Sequence, residues 1–175
     1  MLVTRRIYQQ YKKAQAKSVG ASFDLRIPDT WQEFCSNIYM RSGGEMRQFT
    51  PYKYQILLAN LIEKYSNITV VKTRQLGTTQ MLIALFLYEA IENPAYSASV
   101  FMRNEDDAIS INSRIRRLVE QAEIPLATEE SKLIRLANGA EIRTHNSSKE
   151  GNRSADSVCA LLFDEAAFQR NIKSI

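Results

Sequence analysis

Apolar residues recur along this chain with two alternating periods, and the alternation marks out its elements. Tyr54, Leu57, Leu58, Leu61, Ile62 and Tyr65 return at three- and four-residue steps and predict an amphipathic helix. Thr50-Pro51 opens it, with threonine as N-cap and proline at the first helical position. Upstream, Ile7, Tyr11 and Ala14 share one side of a helix over residues 4–18, which Gly20 and Pro28 interrupt. Asp29 or Thr30 caps a predicted short helix through Trp31, Phe34 and Ile38, ended by Ser42-Gly43-Gly44.

Downstream the pattern tightens. Ile68-Thr69-Val70-Val71 is β-branched and reads as a buried strand. A loop at 72–79 leads into a nearly all-apolar run, 81–91, a central helix stopped by Asn93-Pro94. A second strand over 98–102 precedes an amphipathic helix carrying Ala108, Ile111, Ile115, Leu118 and Ala122 in register. Residues 133–144 predict a hairpin turned at Asn138-Gly139. The last strand, 158–163, runs directly into Asp164-Glu165. Strand, loop, helix, strand, helix, strand predicts an α/β fold with a parallel sheet buried on both faces and flanked by helices.

Composition changes this picture little. A chain of 175 residues suits one compact domain, and 45% hydrophobic with 24% charged residues is an ordinary soluble balance. No run reaches the roughly 20 apolar residues that span a bilayer, so no membrane role is expected. The N-terminus lacks a signal-type core, which makes the cytoplasm the default compartment. Cys35 and Cys159 fit no metal-binding spacing and read as unpaired thiols. The net charge of +4 is concentrated at Arg5, Arg6, Lys12, Lys13 and Lys17. That basic segment reads first as a solvated helix or tail, and only second as a contact for nucleic acid or an acidic partner.

The candidate chemistry lies in the stretch from Ile68 through the loop to the apolar helix. An anion site at a strand–loop–helix corner needs backbone N–H groups aimed at the phosphates, aided by the helix dipole. It also needs a glycine for close approach, a hydroxyl for Mg²⁺ and a lysine for the β/γ-phosphates. Gly77 and Thr79 occupy the second-glycine and hydroxyl positions of G-x-x-x-x-G-K-[ST]. Thr78 stands where lysine is usual, and Lys72 where the first glycine is usual. The loop alone fits a corner with a packing glycine just as well. The apolar run into Asp164-Glu165 favours the anion site. Such a strand end delivers one carboxylate to hold the Mg²⁺ shell and a second to polarise an attacking water. Gln55, amid Tyr52 and Tyr54, offers a carboxamide that can hydrogen-bond adenine while a ring stacks on it.

As a set, these features resemble the ATPase domain of the large terminase subunit of tailed bacteriophages, over roughly residues 45–170. The loop K-T-R-Q-L-G-T-T is similar to that family's phosphate loop in its deviant form, which places the lysine at the front, as Lys72. The runs N-G-A-E-I, G-N-R-S-A-D and L-L-F-D-E-A-A-F resemble its stretch into the Walker B strand. The resemblance implies a P-loop NTPase fold of the ASCE type, cut off after the Walker B strand. A helical N-terminal extension (1–45) would precede the ATPase domain (46–175). It implies ATP and Mg²⁺, bound by the loop residues Lys72, Thr73, Arg74, Gln75, Leu76, Gly77, Thr78 and Thr79, with Gln55 reading adenine. Thr79 and Asp164 would hold the metal. Lys72 would contact the β/γ-phosphates, Glu165 would activate water, and Arg74 would sense or stabilise the γ-phosphate.

The implied partners are double-stranded DNA, the portal protein, the small terminase subunit and further copies in a ring, in the host cytoplasm. Family members continue with a coupling motif and a nuclease domain, whereas this chain ends ten residues after Glu165, at Ile175. A sheet ending at its third motif strand has an exposed edge, so the 175-residue chain is expected to be marginally stable and to hydrolyse ATP poorly. Two rivals remain at this level. A superfamily 2 helicase fragment shares an upstream glutamine, a P-loop and D-E, but Thr78 and D-E-A-A depart from its pattern. A non-catalytic module would keep the nucleotide fold without turnover.

Overall fold

The computed structural model describes residues 28–42, 44–73, 75–146 and 158–166. The predicted helix over 4–18 and its basic cluster lie outside these residues, as do Arg74 and the G-N-R-S-A-D run. In chain order the elements are α1 (Trp31–Cys35), β1 (Tyr39–Ser42), β2 (Glu45–Gln48), α2 (Lys53–Lys64) and α3 (Thr78–Glu92). They continue with β3 (Ser97–Met102), α4 (Glu105–Gln121), β4 (Leu126–Glu129), β5 (Leu133–Leu136), β6 (Glu141–Asn146) and β7 (Ala160–Phe163).

α3 is the axis of the molecule. Its start is set by Gly77 in a left-handed conformation, and Asn93 ahead of Pro94 closes it. Met81, Ile83, Ala84, Leu87 and Ala90 are fully buried, so the helix meets neighbours on nearly every side. α4 is amphipathic by contrast. Asn104 caps it by accepting the Asp107 N–H at 2.8 Å, and Glu105, Asp106 and Asp107 place negative charge at the positive end of its dipole. Ala108, Ile111, Ile115, Leu118 and Val119 form its buried stripe. Ala98, Val100 and Met102 of β3 join both helices in one core with Ile134, Leu136 and Ile142.

The main sheet runs β4-β5-β6-β3-β7. β3 pairs parallel with β6 and with β7, whereas β4-β5 and β5-β6 are antiparallel. The expected parallel pairing is that of β6, β3 and β7, and the sheet is mixed because antiparallel strands extend it on one side. The cause is local. Asn138-Gly139 makes the predicted hairpin turn, with Gly139 at φ 101°, and Asn138 Nδ2 donates to the carbonyls of Ala90 and Ile91. The hairpin is thereby pinned to the end of α3, and β4 adds to its outer edge. On the opposite sheet face from α3 and α4, Phe163, Phe101 and His145 stack across three strands with centroids 4.8 Å apart. Ser99 and His145 are hydrogen-bonded at 3.1 Å, and burial first, then Arg143 and Lys132, lower the imidazole pKa.

Three further expectations are corrected. The short helix stops at Cys35 rather than continuing to the glycines, and a β1-β2 hairpin turned at Gly44 follows it. Among the described residues the segment before residue 46 is therefore not purely helical, and Trp31, Phe34, Cys35 and Ile38 pack into the common core. Tyr52, not Thr50, occupies the N-cap position of α2. Residues 68–71 join no strand: Ile68 and Val70 are exposed and Val71 is 97% exposed. β-branched residues favour a strand only where a neighbour pairs with it, and among the described residues no strand pairs with this segment. Both cysteines are free thiols; burial pushes the Cys35 thiol pKa up to about 12, which keeps it protonated. Among the described residues no helix is long and apolar enough to cross a membrane.

Candidate nucleotide site

β7 ends where the chemistry begins. The Asp164 N–H donates to the Phe101 carbonyl at 3.1 Å, extending the parallel ladder by one residue. That bond fixes Asp164 at the carboxyl end of the strand, the side on which open α/β sheets bind ligands. Glu165 then turns sharply, with φ at 51°, and its N–H donates to Asp164 Oδ1 at 3.1 Å. A left-handed non-glycine residue costs on the order of 1 kcal/mol, and such strain clusters at functional sites.

Across from β7, the loop ahead of α3 brings two more predicted groups to the same carboxylate. Thr79 Oγ1 donates to Asp164 Oδ2 at 2.7 Å. Lys72 Nζ lies 3.9 Å from Asp164 Oδ1, with both side chains largely shielded. Lys72, Gln75, Thr79, Asp164 and Glu165 line one cavity of about 420 Å³. Thr78, where the common loop pattern has lysine, is 4% exposed and does not line that cavity. The lysine in the cleft is thus the one at the front of the loop.

The other predicted residues separate. Thr73 and Leu76 are exposed and do not line the cavity. Gln55 is buried at 1% exposure and is also absent from the lining. Sequence reasoning missed the far wall, built by Arg103 and by Asp107, Ser110 and Arg114 of α4. Arg103 pairs with Asp107 at 3.2 Å. The signal for this wall was available: Arg103 directly follows a strand parallel to the Asp164 strand, so it emerges at the same sheet edge.

The chemistry of this cleft is that of a hydrated, charged ligand. Three cationic and three anionic side chains line it, and a hydroxyl sits against a carboxylate. Paired hard oxygens of this kind suit Mg²⁺. Among the described residues no group of three or more His, Cys, Asp and Glu side chains forms a separate metal centre. Gly77 is constrained by its φ of 69°, whereas a Cβ there would make only ordinary contact with Gln55 Nε2, at 3.4 Å. Gly77→Ala is expected to destabilise the fold by about 1–2 kcal/mol, measured by urea denaturation, because L-residues resist this backbone region.

A comparison with curated proteins gives no match. A comparison with protein families matches residues 41–151 to the family described as phage terminase large subunit gpA, ATPase domain. The match covers most of the chain, including the loop, α3, β3 and α4 that build three sides of the cleft. The chain belongs to the family of phage terminase large subunit gpA ATPase domains.

Proposed function

We propose that this chain binds and hydrolyses ATP as part of a motor that translocates double-stranded DNA into procapsids. The observation that carries this reading is the meeting of Lys72 and Thr79 on the Asp164 carboxylate, at 3.9 and 2.7 Å, with Glu165 beside it in the same cleft. The site is read as a P-loop NTPase centre of the ASCE type.

Each residue has a distinct task. Lys72 leaves Asp164 to contact the β/γ-phosphates, because a phosphate oxygen at hydrogen-bond distance attracts the ammonium more strongly than a carboxylate 3.9 Å away. Thr79 Oγ1 and Asp164 would hold Mg²⁺. When bound, that ion neutralises charge on the β- and γ-phosphate oxygens. Glu165 orients a water and accepts its proton as the water oxygen bonds to the γ-phosphorus and the γ-phosphorus–bridging oxygen bond breaks, releasing ADP and phosphate. Arg74 senses or stabilises the γ-phosphate, and Gln75, which lines the cleft, contributes a phosphate contact. Portal protein, small subunit, DNA and further copies in a ring are the proposed partners, in the host cytoplasm.

Thermal unfolding with nucleotide tests the reading. Mg²⁺-ATP at about 100 times its dissociation constant is expected to stabilise the chain by about 2.7 kcal/mol and raise its Tm accordingly. An unchanged Tm across the millimolar range would count against an ATP site.

A further inference from the structure

The loop that faces the cleft contains two left-handed residues, Gln75 at φ 64° and Gly77 at φ 69°. Lys72 and Thr79 tie the two ends of the loop to Asp164, but between them the described residues Gln75 and Leu76 are exposed, Leu76 to 41%. Left-handed residues persist where the surrounding structure holds them. The first turn of α2 supplies that hold. Gln55 Nε2 donates to the carbonyls of Leu76 at 3.5 Å and Gly77 at 3.4 Å, and the Tyr54 hydroxyl donates to the same Leu76 carbonyl. Gln55 Oε1 accepts the Tyr52 N–H at 2.9 Å, which ties the amide to the start of its own helix. The Gly77 carbonyl also accepts the Met81 N–H at 3.0 Å, so the Gln55 bond acts on the first turn of α3 as well.

A primary carboxamide has two N–H donors and one acceptor oxygen. Both contacts of the Gln55 nitrogen go to the loop, its oxygen serves the helix start, and the side chain is 1% exposed. The amide is thus turned toward the loop, and Gln55 does not line the cleft. We propose that Gln55 and Tyr54 are positioning residues that brace the phosphate loop through the Leu76 and Gly77 carbonyls, so that nucleotide affinity depends on them irrespective of the base. The mechanism follows from direction: fixing a peptide's carbonyl fixes the N–H at its other end, and these N–H groups must converge on the anion.

This inference rests on the reading of the cleft as an ATP site, and its test separates the two. Dissociation constants of the full 175-residue chain are measured for Mg²⁺-ATP, Mg²⁺-GTP and Mg²⁺-tripolyphosphate, the last having no base. Gln55→Ala is expected to weaken all three by a similar factor, about fivefold, from the loss of hydrogen bonds to the loop. Tyr54→Phe, which removes only a hydroxyl, is expected to weaken all three in the same sense. Gln55→Glu keeps the acceptor for Tyr52 but loses the donors, and is expected not to restore affinity. A loss confined to ATP would overturn the proposal in favour of base reading, and unchanged affinity for all three ligands would overturn it outright. If the unmodified chain binds none of them, the ATP-site reading fails. The brace is then judged by hydrogen exchange without ligand. Faster exchange across residues 76–82 in Gln55→Ala supports it, and unchanged exchange contradicts it. Should Gln55→Ala not fold, Tyr54→Phe carries both measurements.

Discussion

Glu165→Gln is expected to abolish turnover while leaving ATP bound. A positioned general base contributes about 10²–10⁴ in rate, and glutamine keeps the shape of glutamate without a basic oxygen. Glu165 lines the cleft but makes no ion pair with Lys72; the ion pair and the threonine bond both go to Asp164. Its loss therefore leaves the loop-to-strand contacts intact. The affinity for Mg²⁺-ATP should change by less than about threefold, while single-turnover hydrolysis falls by at least two orders of magnitude. Equal losses of binding and turnover would move Glu165 from the chemical step to ligand holding. A wild-type rate in the variant would remove it from the mechanism.

Lys72→Ala is expected to act on the other quantity. A lysine contact to phosphate is a charge-assisted hydrogen bond, of about 1.5–3 kcal/mol, so ATP affinity should fall about 10- to 100-fold. The fold should persist, because the Lys72–Asp164 pair at 3.9 Å is long and Asp164 retains the Thr79 hydroxyl at 2.7 Å. Lys72→Arg is expected not to substitute fully. A planar guanidinium on a longer stem presents its donors differently from a compact ammonium. Equilibrium titration with a fluorescent ATP analogue measures both variants. Together with Glu165→Gln they separate holding the phosphates from attacking them.

Much of the fold was legible where apolar spacing and capping agreed. The amphipathic stripe of α4, the apolar length of α3 closed at Asn93-Pro94, and the Asn138-Gly139 turn all stand close to where the residues place them. What failed depended on partners distant in sequence. Residues 68–71 have strand composition, yet a strand exists only through pairing, and Val71 stands 97% exposed. The β1-β2 hairpin was hidden because its strands are short, and β2 is exposed along its whole length and lacks the alternation that marks a half-buried strand. Thr50-Pro51 had the residue types of a helix start, but the Gln55 side chain accepts the Tyr52 N–H and so moves the start to Tyr52.

The corner where Lys72, Thr79 and Asp164 meet was legible for a related reason. Asp164 and Glu165 follow an apolar run, and Thr79 begins another, so the residue pattern marks the ends of two buried elements that meet. The distance between them was not legible, nor was the far wall of Arg103, Asp107, Ser110 and Arg114. A wall contributed by one face of an ordinary amphipathic helix has no pattern of its own. Gln55 shows the same limit differently. Its position suggested a nucleobase, while its contacts run to the loop.

The central claim is that the lysine at the front of the loop, and not a residue after the glycine, meets the phosphates. The most direct measurement uses an acyl phosphate derivative of ATP, which transfers its acyl group to a lysine amine held beside the terminal phosphate. Acylated peptides are then identified by mass spectrometry with and without excess Mg²⁺-ATP. Lys72 is expected to be the principal site of transfer, with ATP suppressing the modification. Transfer to other lysines with Lys72 untouched, or modification of Lys72 that ATP does not suppress, would contradict the account.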